Sequence, residues 1–157
     1  MKLTSQEEYG LRCLLQVARR WPQGSITIPE ISRLEGISQA HAAKLLHLLR
    51  QSGFVRSARG QTGGYTLAAP PDKIVVQDLL NALGGRIYQE SFCRTRQGRL
   101  GSCTHVSECS LRPLWRSIQN AVDRVLANTT LKDLLEVKPE ETPLVRSLEP
   151  APTPVPR

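Results

Sequence analysis

Hydrophobic positions along the chain fall into helical stripes separated by glycine, proline and short polar segments. Leu11, Leu14, Leu15 and Ala18 recur at i, i+3, i+4 and i+7, the period of one buried helix face. Thr4/Glu7 and Ser5/Glu8 both have capping-box spacing, so the first helix is predicted to open at Thr4 or Ser5. The segment Trp21-Pro22-Gln23-Gly24-Ser25 ends it. Thr27 and Glu30 repeat the box spacing, with Pro29 in the first turn, and predict a second helix running to about Glu35 and stopping at Gly36. Ile37 then supplies an apolar anchor and Ser38 a new N-cap. A third helix to about Ser52 buries Ala42, Leu45, Leu46 and Leu49, and Gly53 closes it.

Two short helices joined at a glycine and a serine read as a helix-turn-helix, a pattern that any small helical bundle can also show. The residues that follow sharpen it. Phe54-Val55-Arg56 and Tyr65-Thr66-Leu67 are predicted strands, and the glycine-rich segment from Ala58 to Gly64 between them carries Arg59. A hairpin of this kind directly after the third helix has the geometry of a wing. Val76, Leu79, Leu80 and Leu83 give a further helical face that Gly84-Gly85 ends. Residues 86–110 are irregular. Leu111, Trp115, Ile118, Val122 and Val125 are then spaced 4-3-4-3, the seam of a helix packed on a near-parallel neighbour. The simplest use of that stripe is core, but a helix so far from the N-terminal fold can also supply a twofold contact, and a homodimer is expected. Thr129 or Thr130 caps a short closing helix with Leu131, Leu134 and Leu135. The expected fold is mainly α with a small β wing. It comprises a winged helix-turn-helix DNA-binding domain (1–83), a cysteine-containing loop (84–110), a dimerisation helix with its closing helix (111–137) and a disordered proline-rich tail (138–157).

Composition narrows the function. The 157 residues carry a net charge of +7 and no apolar run near the ~20 residues of a membrane span, so no membrane partner is expected. MKLTSQEEYG holds no apolar signal core, and a cytoplasmic protein is expected. Between Glu35 and Asp72 no acidic residue occurs, while Lys44, Arg50, Arg56 and Arg59 do, with His41 and His47. Such a stretch suits a surface facing phosphate, where neutralised charges release counterions. No Ser/His/Asp set, carboxylate pair or phosphate loop is present, so an enzyme is not expected.

Three of the four cysteines, Cys93, Cys103 and Cys109, crowd into seventeen residues, and Cys13 stands alone on the first helix as a core residue. In a reducing compartment this clustering points to metal or redox chemistry rather than disulfides. Arg94, Arg96 and Arg99 favour the thiolate, the ligand form of cysteine, and offset the charge of a thiolate-bound centre. Three chemistries fit: an iron–sulfur cluster with three thiolates and one other ligand, a structural zinc on Cys93, Cys103, Cys109 and His105, or a thiol-only redox switch. The spacing Cys-x9-Cys-x5-Cys does not separate the first two.

Taken together, the opening MKLTSQEEYGLRCLLQVA, the turn PEISRLEGIS, the wing RGQTGGYTL, the segment LWRSIQNAVDRVLANTTLKDLL and three cysteines ahead of Leu114-Trp115 resemble the IscR/NsrR family of iron–sulfur regulators (the Rrf-two superfamily) over residues 1–136. The resemblance implies a dimer that crosses its long helices, with a cluster near the interface held by the three cysteines and a fourth residue that differs between members. Two departures stand out. The first cysteine interval is longer than the family's usual five residues, and the position three after the last cysteine, a histidine ligand in IscR-type members, is Arg112. NsrR-like members take an acidic ligand from the start of the partner's first helix. The matching residue is Glu8, ahead of His105 and Glu7. A [2Fe–2S] cluster is preferred over [4Fe–4S].

The function implied is a transcription regulator whose binding to a double-stranded DNA operator is set by a cluster sensing redox state, nitric oxide or iron–sulfur status. Ser38, Gln39, Ala40 and His41 are expected at base edges in the major groove and Lys44 at phosphate. Arg59 is expected in the minor groove, with Gln61 and Thr62 near the backbone. The rival functions are a zinc-stabilised winged-helix binder without sensing chemistry and an iron–sulfur carrier or electron-transfer protein.

Overall fold

The computed structural model describes residues 3–58, 63–86, 88, 103, 105 and 108–137. Helix α1 (Ser5–Ala18) opens at Thr4, whose hydroxyl accepts from the Glu7 amide at 3.3 Å while Glu7 Oε2 accepts from the Thr4 amide at 2.7 Å. Of the two N-caps the sequence allows, Thr4 is the one used. The buried face of α1 differs from the expected Leu11, Leu14, Leu15, Ala18 stripe. Gly10, Cys13, Leu14, Val17 and Ala18 are buried, and Leu11 and Leu15 lie half-buried at the margin. The cause is crowding, because α1 is packed by other elements from several directions. A Cβ at Gly10 would stand 2.7 Å from Leu83 Cδ2, so glycine there admits the neighbouring helix closely.

Helix α2 (Ile28–Glu35) starts on a second capping box, with Thr27 and Glu30, and ends at Gly36 in the left-handed conformation, φ +64°. Ser38 caps α3 (Gln39–Gln51), its hydroxyl accepting from the His41 amide at 3.2 Å. Ala42, Leu45, Leu46 and Leu49 of α3 are fully buried with Ile31 of α2 and Leu14 of α1, forming the core of the helix-turn-helix.

Strands β1 (Val55–Ala58) and β2 (Gly64–Leu67) pair antiparallel, Val55 opposite Leu67 and Ala58 opposite Gly64. The chain before α2 joins them: Ile26 and Tyr65 exchange backbone hydrogen bonds of 3.0 and 2.8 Å. That third segment ties the hairpin to the head of α2, and the expected wing is present as a small sheet.

After a 3-10 turn (Pro71–Lys73), α4 (Val76–Leu83) buries Val76, Leu79 and Leu83 and ends at Gly84, φ +106°. Helix α5 (Leu111–Ala127) packs on α4, and α6 (Leu131–Glu136), capped by Thr130 and Asp133, returns to α1. Leu131 is fully buried, the Val76 amide donates to the Thr129 carbonyl at 2.9 Å, and the Leu131 amide donates to the Ile74 carbonyl at 2.8 Å. The chain thus closes back on its own N-terminal unit.

The simplest use of the α5 stripe is corrected. Leu111 is 56% exposed, Leu114 50% and Trp115 42%, and Ile118, Val122 and Val125 are half-buried. The buried residue of α5 is instead Gln119, which accepts from the Tyr88 amide at 2.9 Å and donates to Asp123 at 2.8 Å. The expected tail, 138–157, lies outside the described residues, as do most of residues 87–107. Among the described residues no helix is long and apolar enough to cross a membrane.

The Ile26–Tyr65 junction yields a test. A Cβ on Gly64 would lie 2.6 Å from the Ile26 carbonyl oxygen, a backbone atom that cannot swing aside. Gly64→Ala is therefore expected to cost about 1–3 kcal/mol, as overpacking does, seen as a lowered thermal midpoint. An unchanged midpoint would show that the junction yields freely.

Candidate functional site

The DNA-facing candidate is the surface of α3 opposite its leucines. Ser38, Gln39, Ala40 and Lys44 are exposed on it. The Ser38 oxygen already serves the helix cap, which leaves its hydroxyl hydrogen for a partner. His41 differs from the others: it is half-buried, and its ring meets Tyr9 of α1 edge-on, centroids 5.7 Å apart. Arg59, Gln61 and Thr62 of the wing lie outside the described residues. His47 and Arg50, which the candidate set passed over, are exposed on the same helix, with Arg50 Nη2 3.5 Å from His47 Nδ1. Both belong to the acid-free stretch expected to face phosphate, and His47 follows Lys44 by one helical turn outside the leucine face.

Behind the reading helix sits a polar clamp that sequence reasoning missed. Glu35, the last residue of α2, is buried. Its Oε2 accepts from Arg12 Nε at 2.6 Å, and its Oε1 accepts from Gln16 Nε2. The hydrogen bond from Arg12 to Glu35, and then the Glu35 charge, hold the guanidinium still more firmly in its charged form. Arg12 also stacks over the Tyr9 ring at 5.3 Å and lies 3.9 Å from Glu8. Tyr9 and Arg12 thereby join α1 to the ends of both α2 and α3. A signal existed: a carboxylate at a helix C-terminus opposes the macrodipole and calls for a cation from elsewhere.

The thiol candidates divide. Cys13 is fully buried, and its thiol is pushed up to about 12 by burial and secondarily by Glu35, partly offset by Arg12. It is a core residue, protonated at any physiological pH. Cys103 and Cys109 are free thiols, half-buried, just ahead of α5, where the Arg112 amide donates to the Cys109 carbonyl at 3.3 Å. Cys93 lies outside the described residues, and His105 is exposed on a turn. The two carboxylates of the first turn of α1 also differ. Glu7 is consumed by the Thr4 cap and buried, its Oε1 beside Gly85, whereas the Glu8 side chain is 52% exposed. Among the described residues no three His, Cys, Asp or Glu side chains converge on one point.

A capped helix-turn-helix followed at once by a β hairpin, with an acid-free outer face, defines a winged-helix DNA-binding protein. The family model described as Rrf2, iron-dependent transcriptional regulator, matches residues 3–137, and the chain belongs to that family. CymR, an HTH-type transcriptional regulator of Bacillus subtilis, is 31% identical over 134 residues, 85% of this chain and 89% of that protein. IscR of Pectobacterium carotovorum is 34% identical over 139 residues, 88% of this chain and 81% of that one. Among solved structures, CymR of B. subtilis, described as its global cysteine regulator, aligns with a TM-score of 0.71 at 30% identity, covering 86% of this chain and 96% of that chain. IscR of T. potens aligns with a TM-score of 0.67 at 25% identity, covering 86% of each. These relatives are named as regulators, and the chain is a transcriptional regulator rather than an enzyme.

The contrast among the thiols is testable. In the native, metal-free chain at pH 8, iodoacetamide is expected to alkylate Cys103 and Cys109 and to spare Cys13 until denaturant is added. Native labelling of Cys13, read by peptide mass spectrometry, would contradict its burial in the core.

Proposed function

We propose that this chain is a cytoplasmic, homodimeric regulator whose operator binding is set by an iron–sulfur cluster held by Cys93, Cys103 and Cys109 with Glu8 of the partner subunit as fourth ligand. The observation that carries the reading is the difference between the two neighbouring acids. Glu7 is spent on its helix cap, while Glu8 projects from the first turn of α1 and, among the described residues, makes a long contact to Arg12. The donor chemistry fits: free thiols at Cys103 and Cys109 are soft ligands, and an exposed carboxylate can complete a set that three sulfurs leave one short. When bound, a cluster supplies a centre whose charge and ligation respond to oxidant or nitric oxide, and [2Fe–2S] is preferred over [4Fe–4S].

The protein's own residues would carry the response. A pull on the first turn of α1 moves Tyr9 and Arg12, and these touch His41 at the start of α3 and Glu35 at the end of α2. Operator affinity then follows the pose of the reading helix. The exposed Leu111, Leu114 and Trp115 are the part of α5 offered to a second copy. On DNA, Ser38, Gln39, Ala40 and His41 read the major groove with Lys44 at phosphate, and Arg59, Gln61 and Thr62 serve the wing.

Similarity to CymR, described as a global cysteine regulator, favours a second reading, a winged-helix regulator that answers to cysteine supply and not to a cluster. Metal and sulfide analysis separates the two, and also the zinc-stabilised form, which would hold zinc without sulfide. An iron–sulfur carrier or electron-transfer protein would instead cycle its redox state reversibly and shift no DNA fragment.

Oxygen-free purification of the parent is expected to give coloured protein, Cys103→Ala a colourless one, and Glu8→Ala an altered spectrum or a shorter-lived chromophore. A parent free of iron when prepared this way would remove the sensor and leave the cluster-free regulator. A normal spectrum in Glu8→Ala returns the fourth position to His105 or solvent. Arg59→Ala is expected to weaken operator binding by roughly 1–3 kcal/mol, measured by gel shift at matched salt. Unchanged affinity would take Arg59 out of the groove.

A further inference from the structure

At the joint between the reading helix and the wing, a shallow depression of about 550 Å³ lies between the last turn of α3 and the base of the hairpin. Arg50 and Arg56 stand on its rim, with Ser57 and Gly53 beside them. Both arginines are exposed. Among the described residues no carboxylate lines the depression, and the sequence offers none between Glu35 and Asp72.

The partners of these two arginines set them apart. Arg12, Arg20 and Arg86 each lie within 4 Å of an acidic side chain, Glu35, Glu30 and Asp123. Arg56 instead donates through Nη2 to the Ala68 carbonyl, and Arg50 contacts the His47 ring nitrogen. Neither partner carries negative charge, so each guanidinium is positioned without being neutralised. A guanidinium has five N–H donors in a planar fork suited to paired phosphate oxygens, and one bond to a carbonyl leaves most of that fork available. The exposed His47 ring, 3.5 Å from Arg50 Nη2, stands beside this fork on the same helix face.

The location gives the ligand class. When α3 lies in a major groove and the wing tip in the adjacent minor groove, one sugar–phosphate strand runs between them. That strand must cross the joint connecting the two elements. We propose that Arg50 and Arg56, assisted by His47, form a phosphodiester seat for this strand, fixing how deep the helix and wing sit without reading sequence. The seat rests on DNA binding through α3 and the wing, and adds residues outside the base-reading set.

The test uses the full chain, prepared both with and without oxygen, and two labelled duplexes: one enriched by the parent protein from a random library and one of unselected sequence. Titrations run from about 50 to 200 mM salt. Arg50→Gln and Arg56→Gln are each expected to weaken both duplexes by a similar factor, roughly tenfold. The log–log salt slope should also become shallower by roughly 0.9 per arginine lost in each bound protomer. Arg56→Lys keeps the charge but loses the fork, so it should bind more weakly with the parental slope. This slope separates the seat from a merely structural role of Arg56 in the hairpin, since a loosened wing changes affinity without removing a phosphate contact. Parental slopes in both Gln variants, or a loss confined to the enriched duplex, overturn the seat while leaving DNA binding intact. A parent that shifts neither duplex in either preparation overturns DNA binding and the seat with it.

Discussion

Glu35 ends helix α2 with its carboxylate buried, in the place where the helix dipole and the loss of water both disfavour negative charge. Arg12 and Gln16, one turn apart on α1, converge on its two oxygens, and the placement depends on them. A pair of this kind is a demanding constraint on geometry. If α1 turned by one residue, about 100° about its axis, the acid would be left unpaired in the core. The clamp therefore sets the rotation of α1 against the helix-turn-helix. That rotation directs Gly10, Cys13, Leu14 and Val17 inward and lays Tyr9 against His41.

From this one rotation the remaining contacts of α1 follow. At its N-terminal end Gln6 Nε2 donates to the Leu83 carbonyl at 2.7 Å, and Glu7 reaches the Gly84-Gly85 corner from which the chain leaves toward its cysteines. At its other end it packs against α2 and α3. The chain returns after α5 to seat Leu131 in the same core, so α5 is tied down at its C-terminal end and along α4. Its N-terminal end, with Leu111, Leu114 and Trp115, keeps its apolar surface exposed. A single helix thus touches the reading head, the corner that leads to the thiol segment and the closing helix α6.

What could be read in the sequence was whatever depends on near neighbours. Capping boxes at Thr4, Thr27 and Thr130, glycine stops at Gly36 and Gly84, and the hairpin after α3 are local chemistry, and they lie where that chemistry puts them. The buried face of α1 is turned from the leucine stripe, taking in Gly10, Cys13 and Val17 and leaving Leu11 and Leu15 at the margin. Gly10 and Cys13 face the core because Leu83 and α3 need room there, a fact of distant residues. The α5 stripe was legible as apolar but not as exposed, since its periodicity is the same whether the neighbour is the chain itself or another copy. At the site, residue types were legible and convergence was not. Nothing local distinguishes Glu7 from Glu8 until the cap claims one of them.

The electrostatics of the outer face follow a similar logic of omission. Residues 36–71 hold four Lys or Arg in 36 positions, no denser than the 21 in 157 of the whole chain, yet they hold none of its 14 acids. The positive character of the helix and wing therefore comes from withholding carboxylates, not from crowding cations. Ion pairs among the described residues, such as Arg12–Glu35, Arg20–Glu30 and Arg86–Asp123, lie elsewhere on the fold. This arrangement has a physical advantage. Spaced arginines held by carbonyls and ring nitrogens repel one another little and keep their forks oriented, whereas a dense basic patch would strain the small hairpin that carries it. Field and fold are then compatible because the structural ion pairs and the DNA-facing cations never compete for the same acids.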